Sequence, residues 1–167
     1  MSVADPLGTL RRAHDIGLGK LKLLSGAVSG LNKGSNPAAL GALKEVLLFF
    51  DGELRVHFRH EEEVLFPALE RVIGREGPIA AMLDEHQSVW RAVDALREKT
   101  AQLENTAEEN RGDIAHEIEL VGTHIVGLLG SHIDKENGML FPMAEQTLSA
   151  TAIREIAERM KAVEEAA

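Results

Sequence analysis

From Leu7 onward, apolar side chains recur at alternating gaps of three and four: Leu7, Leu10, Gly17, Leu21, Leu24, Val28 and Leu31, with His14 where the rhythm wants carbon. Such a stripe is the seam of a helix packed in a bundle. Asp5 and Pro6 ahead of it read as an N-cap acceptor and a first helical residue. After a turn rich in Gly, Ser and Asn, Asn36 and Pro37 repeat that start signal. A second seam then runs through Leu40, Leu43, Leu47, Phe50, Leu54, His57, Glu61, Val64 and Ala68. Pro67 is expected to kink this helix or end its regular part, and Gly74 to stop it.

Gly77 and Pro78 open a third helix, with Ile79, Met82, His86, Val89, Val93, Leu96, Thr100 and Leu103 on its seam. An acidic, polar stretch from Leu103 to Asp113 reads as a loop. The fourth seam is drawn through Ala115, Ile118, Gly122, Ile125, Leu129, His132, Glu136, Met139 and Met143, although a stripe through Val121 and Leu128 fits its first half about as well. Ser149 can cap a last helix that shows Ile153, Ile156, Met160 and Val163 on one face. Short loops between long helices favour antiparallel neighbours. The expected fold is therefore all-α: an up-down-up-down four-helix bundle with an additional short C-terminal helix. It forms a single domain over residues 1–167, with the bundle at about 6–147 and the last helix at about 149–165.

Two segments of the chain repeat each other. His57 to Pro67 reads HFRHEEEVLFP and His132 to Pro142 reads HIDKENGMLFP, pairing His57 with His132, Glu61 with Glu136, and Leu-Phe-Pro with Leu-Phe-Pro. A histidine and a glutamate four residues apart share one helix face, so a neutral imidazole and a carboxylate can close on one metal cluster. At about 1.5 Å per residue, His14 lies roughly 25 Å before the first turn and His57 roughly 30 Å after it. The same count brings His86 and Glu61, and His86 and His132, to within about a helical turn of one level. All four seam histidines and both seam glutamates thus belong to one layer. Six ionisable groups converging in a core without an ion would leave carboxylates buried and unpaired, at several kcal/mol each. The competing reading is a plain bundle whose glutamates face solvent or pair with Arg and Lys.

Composition narrows the chemistry. With 18 Lys plus Arg against 27 Asp plus Glu, the net charge of -9 supplies no basic footprint for nucleic acid or anionic membrane. The longest apolar run, Val46 to Phe50, is far short of a membrane span, and the first residues lack a secretory signal, so the cytoplasm is the expected compartment. The absence of Cys and Tyr excludes thiolate and tyrosinate ligands. Glu-x-x-His, the ferritin-like pattern, does not precede any seam histidine, and His60-Glu61 and His116-Glu117 lack the second histidine of a zinc-protease motif. His60, with Glu62 and Glu63, is read as a solvated flank of the second helix or a neighbour of the cluster. His124 is a weaker neighbour of the same kind and His116 a surface residue. Trp90 is read as core packing that could wall the site, and Phe58, Phe66 and Phe141 as core.

A His, a His-x-x-x-Glu, a His and a second His-x-x-x-Glu on successive helices, with Leu-Phe-Pro after both pairs, resemble the hemerythrin-like, HHE cation-binding family over about residues 7 to 145. The resemblance implies a non-haem dinuclear site with His14, His57, His86 and His132 as nitrogen ligands and Glu61 and Glu136 as bridging carboxylates. The ions implied are two irons cycling between Fe2+ and Fe3+, oxo- or hydroxo-bridged when oxidised, with manganese or zinc as substitutes. This chain departs from the oxygen-carrying hemerythrins on its third helix, where Trp90 stands in place of a second histidine, and at Glu136, where they use Asp. One iron then has fewer nitrogen ligands and a more open position. Relatives that repair iron-sulfur clusters often carry an additional N-terminal cysteine-bearing domain, so that role is the less expected one. The expected function is binding or sensing of O2, NO or peroxide. The alternatives are an enzyme consuming peroxide or NO at the same cluster, an iron-sensing or iron-handling bundle, and, last, an interaction module without metal. The protein partner is left open.

Overall fold

The computed structural model describes residues 5–31, 33 and 37–166. Every element among them is helical, as the seams predict. The first helix is Pro6–Leu31; the third is Pro78–Glu104; the fifth is Ala150–Ala166. The second is one continuous rod made of Pro37–Phe49, Phe50–Leu54, Arg55–His60, Glu61–Leu65 and Phe66–Ile73, and the fourth one of Gly112–Lys135, Glu136–Leu140 and Phe141–Thr147. Asp5 Oδ1 accepts from the Gly8 amide at 2.9 Å and Ser149 Oγ from the Ala152 amide at 3.1 Å, two of the three side-chain caps expected. The expected cap at Asn36 lies outside the described residues. Gly74 and Gly77, at φ 80° and 81°, make the turn between the second and third helices, where a residue with a Cβ would be strained.

Three five-residue stretches wind as π-helix: Phe50–Leu54, Glu61–Leu65 and Glu136–Leu140. The last two begin at the repeated glutamates and end on the leucine of Leu-Phe-Pro. In each, the amide ahead of the proline reaches back five residues, from Phe66 to the Glu61 carbonyl and from Phe141 to the Glu136 carbonyl. Pro67 and Pro142 have no amide hydrogen for the carbonyl four residues earlier, and their rings crowd it. The rod widens by one residue there instead of ending, and π turns of this kind are frequent at functional sites.

The extra residue corrects part of the expected seam. Past Glu136, Leu140, Phe141 and Ala144 turn inward, while Met139 is 42% exposed and Met143 only half-buried. In the second helix, ahead of the π turn at Phe50, the buried positions are Ala39, Leu43, Val46 and Phe49 rather than Leu40 and Leu47. The first and third seams hold nearly throughout, and the fourth runs through Ile118 and Ile125, with Val121 and Leu128 only partly buried.

The first helix packs against the second and fourth, the third against the fourth and second, and the fifth lies across the first two. The apolar core falls into two blocks. One contains Leu21, Leu24, Val93, Leu96, Ile125 and Leu129; the other contains Leu7, Leu10, Leu69, Met82, Phe141 and Ile156. Between them lies the ionisable layer, with His14 in the gap between Leu10 and Leu21. The first and fourth helices approach closely at Gly122, where a Cβ would lie 2.7 Å from Val28 Cγ1. Gly122→Leu is expected to cost about 1–3 kcal/mol by overpacking this contact, read as a lower urea midpoint.

Candidate metal centre

Each seam delivers its ionisable group to the gap between the two apolar blocks. His14, His86, His132, Glu61 and Glu136 are at most 1% exposed and His57 is 6% exposed. The histidines meet in two pairs, His14 Nε2 to His57 Nε2 and His86 Nε2 to His132 Nε2, each at 3.1 Å. Both glutamates span the pairs. Glu61 Oε1 is 3.4 Å from His57 Nε2 and 3.3 Å from His86 Nε2. Glu136 Oε1 is 3.3 Å from His14 Nε2 and 2.9 Å from His132 Nε2.

Two groups of donor atoms result. His14, His57, Glu61 and Glu136 each bring one atom within 4.8 Å of all the others, and so do Glu61, His86 and His132. Two imidazole nitrogens about 3 Å apart are what metal–nitrogen bonds of about 2.1 Å at right angles would give. Both oxygens of Glu61 and of Glu136 are buried without a hydrogen-bond partner. An unpaired buried carboxylate is costly, and a cation between the histidine pairs removes that cost. The donor set, imidazole plus carboxylate without sulfur, suits iron, manganese or zinc. The residues present therefore fit a metal centre.

The outer nitrogens are positioned by residues that the seams did not single out. His14 Nδ1 donates to Asn137 Oδ1 at 2.7 Å, and His132 Nδ1 donates to Glu85 Oε1 at 3.2 Å, while Glu85 Oε2 accepts from Lys135 Nζ at 2.9 Å. These bonds hold the proton on Nδ1 and leave the Nε2 lone pair facing the centre, the usual arrangement behind a metal-binding histidine. His86 Nδ1 lies 3.6 Å from Glu62 Oε2, and His57 Nδ1 is without a partner. Asn137, Glu85 and Glu62 each sit beside a seam position, at Glu136, His86 and Glu61. Adjacency to a seam residue was the one signal for them in the sequence, and it is weak.

Aromatic rings wall the layer. Phe58 stacks on His86 with centroids 3.7 Å apart and planes 4° from parallel, and meets His132 edge-on at 5.8 Å. Phe141 stacks on His14 at 5.2 Å, and Phe66 lies 5.6 Å from His86. The three phenylalanines are thus core residues that also enclose the centre. Trp90 is one ring further out: it packs edge-on against Phe58 and lies under the Arg55 guanidinium, 4.6 Å from its carbon.

The remaining histidines are elsewhere. His60 is buried, not solvated: its Nε2 donates to the Met160 carbonyl at 3.1 Å, and Glu164 is 3.4 Å away. It ties the second helix to the fifth rather than joining the cluster. The fifth helix covers the flank that His60 would otherwise present to water. His124 and His116 are exposed.

Burial pushes His57 down to about 4, with Glu61 only partly offsetting it, and lowers His14 and His132 for the same reason. Burial also opposes the charge on His86, but the carboxylates of Glu61 and Glu62 outweigh it and raise that residue. For Glu61 burial acts upward, yet His57, His86 and His132 together hold it at about 2. Three neutral imidazoles and an ionised carboxylate are the protonation states that metal binding requires. The signs give a pH dependence for the metal-free protein. Between 6.5 and about 4 the unfolded chain takes up a proton at His57 that the folded chain does not, so this contribution is full above 6.5 and fades as pH falls. His14 and His132 act with the same sign. His86 opposes them, its contribution being full below 6.5 and lost as pH rises through its raised value. Stability, followed by thermal unfolding, is expected to drop from pH 6.5 to 4; a flat profile would show that these imidazoles are not buried neutral.

Residues 5–144 match the family described as the Hemerythrin HHE cation binding domain. Over 113 residues, 66% of this chain, the sequence is 30% identical to the iron-sulfur cluster repair protein YtfE of Yersinia pestis (strain Pestoides F). It matches the protein of the same name from Yersinia pseudotuberculosis serotype O:1b (strain IP 31758) to the same extent. The matched region is 50% of each, so the chain spans about half the length of the curated relatives it matches. No helix among the described residues is long and apolar enough to cross a membrane. With the match covering nearly the whole bundle, and with the repeated histidine and glutamate pairs converging in its core, the chain belongs to the hemerythrin HHE cation-binding domain family.

Proposed function

We propose that this bundle, acting as a single domain, holds two iron ions and binds or senses a small ligand, O2, NO or peroxide, at them. In this reading His14 and His57 serve one ion, His86 and His132 the other, and Glu61 and Glu136 bridge. The observation that carries it is that each glutamate carboxylate stands within 3.4 Å of one histidine from either pair while both its oxygens lack a hydrogen-bond partner. When bound, iron would supply reversible one-electron chemistry and open positions for a ligand. The chain's own part is to keep the imidazoles of His14, His57 and His132 neutral by burial, to orient His14 and His132 through Asn137 and Glu85, and to exclude bulk water with Phe58, Phe66 and Phe141.

Metal analysis with anaerobic-to-aerobic absorption spectra tests this reading. Two irons per chain and one stoichiometric spectral change on adding O2 or NO support a binder. Steady consumption of peroxide or NO supports instead an enzyme at the same centre. Absence of tightly held iron, manganese or zinc would leave only a helical scaffold. Because ligand imidazoles must be neutral, with the coordinating nitrogen unprotonated, the metal is expected to leave below roughly pH 5 to 6. Metal content unchanged at pH 4 would contradict histidine ligation. A second reading, iron handling, draws on the relatives named above, which are iron-sulfur cluster repair proteins. It predicts net transfer of iron from the loaded protein to an acceptor, which a binder does not perform.

A further inference from the structure

Two spaces meet at His57. On its inner side is a cavity of about 40 Å³, walled by Phe49, Leu54, Phe58, Leu129 and Ile133 and by the metal layer at His14, His57 and His132. Since one water occupies roughly 10–15 Å³ of such space, the cavity has room for a diatomic molecule. On the outer side a groove of about 650 Å³ opens to solvent between the first, second and fifth helices. Four residues wall both spaces: Ala13, Ile16, Glu53 and His57. Ala13 is too small to close anything and His57 is held in the metal layer. The partition therefore consists of two side chains, Ile16, 50% exposed, and Glu53, also exposed.

We propose that Ile16 and Glu53 form the entrance through which small ligands reach the metal layer, and that they select neutral diatomic molecules over anions. This rests on the metal-site reading above and adds the route and the class of ligand. Ile16 supplies an apolar flap that a small uncharged molecule displaces by a rotamer change. Glu53 places a carboxylate at the mouth. The charged groups of the outer groove are Arg12, Glu53 and Glu164, with His60 beside them, so carboxylates outnumber guanidinium there. An anion must pass that field and then give up its water inside walls of Phe, Leu and Ile, whereas O2 or NO does neither. The second helix winds as π-helix from Phe50 to Leu54, and this stretch carries Glu53 to the rim while Leu54 lines the cavity beneath it.

Two measurements test the entrance. In zinc-loaded, diamagnetic protein under xenon pressure, the methyl resonances of Ile16 and Ile133 are expected to shift together and to saturate, while Ile118 and Ile79 stay still; Ile16→Trp should abolish the Ile133 shift. In iron-loaded protein, Ile16→Trp should slow NO association by on the order of tenfold, and Ile16→Ala should speed it. Glu53→Gln should raise the association rate of azide by about tenfold and leave that of NO unchanged. An Ile133 methyl blind to xenon, or NO rates equal in all three Ile16 forms, would overturn the entrance. Equal azide rates in wild type and Glu53→Gln would overturn the selection. The xenon arm needs no iron chemistry, so a protein that admits xenon but binds no NO contradicts the metal-ligand reading and not the route.

Discussion

In Glu61→Ala, iron content is expected, on the proposed di-iron reading, to fall from about two ions per chain to about one, because a bridging carboxylate would serve both metal positions at once. Glu61 Oε1 stands 3.4 Å from His57 Nε2 and 3.3 Å from His86 Nε2, so no other described carboxylate joins these two histidines in the same way. The effect has a signature that separates it from plain loss of packing. In the metal-free protein Glu61 is fully buried with both oxygens lacking a hydrogen-bond partner, so losing the side chain breaks no hydrogen bond there. The rise in melting temperature on adding metal should therefore shrink sharply in the variant, while the metal-free protein changes much less. Two tightly bound irons in Glu61→Ala would rule out bridging by this residue. Glu61→Gln, which keeps the shape and removes the charge, should behave like the alanine variant if charge neutralisation matters, and like wild type if only volume does.

Phe58→Ala should lower unfolding stability by about 3–5 kcal/mol, a large share of the roughly 5–15 kcal/mol typical of a domain. Phe58 is 1% exposed and touches His86, His132 and Trp90 with its ring. Truncation removes the transfer energy of the ring, leaves a void that the surrounding rods cannot close, and frees the His86 imidazole to tilt. The void would also join the small cavity beside His57, since Phe58 lines it. Urea titration of the metal-loaded protein reads the energy. Phe58→Leu, retaining most of the volume, should lie between alanine and wild type. A loss below about 1 kcal/mol for the alanine variant would mean that the aromatic wall is not structural.

Most of the architecture was legible along the chain. The residues at seam positions in the first and third helices are the buried ones, because an α-helix repeats its face every 3.6 residues and a bundle asks each helix for one apolar stripe. The six ionisable positions stood out for the same reason: His14, His57, Glu61, His86, His132 and Glu136 interrupt stripes otherwise made of carbon, and counting rise per residue placed them at one level. Their convergence is what the coordinates bear out; their ligation to iron is our proposal.

What periodicity could not convey lies where the period changes or where contact depends on a neighbouring helix. A π turn adds one residue to the rod, so the face read at 3.6 residues per turn slips after Glu136, and Met139 goes outward while Leu140 goes inward. The cause, a proline that crowds the carbonyl ahead of it, was visible as Pro67 and Pro142. Whether it would end the helix or widen it depended on the rods packed around it. Asn137, Glu85 and Glu62 gained their places behind the histidines only through the angle at which helices cross, and no single-helix pattern encodes that angle. His60 followed the same logic: its sequence neighbourhood is acidic and polar, yet the fifth helix covers it and supplies the Met160 carbonyl. Sequence determined which side chains share a stripe and a height, since both are properties of one helix. Tertiary structure decided which nitrogens face one another, which oxygens are left without a donor and where the core opens to solvent, since each of these takes two or more helices meeting at a particular angle.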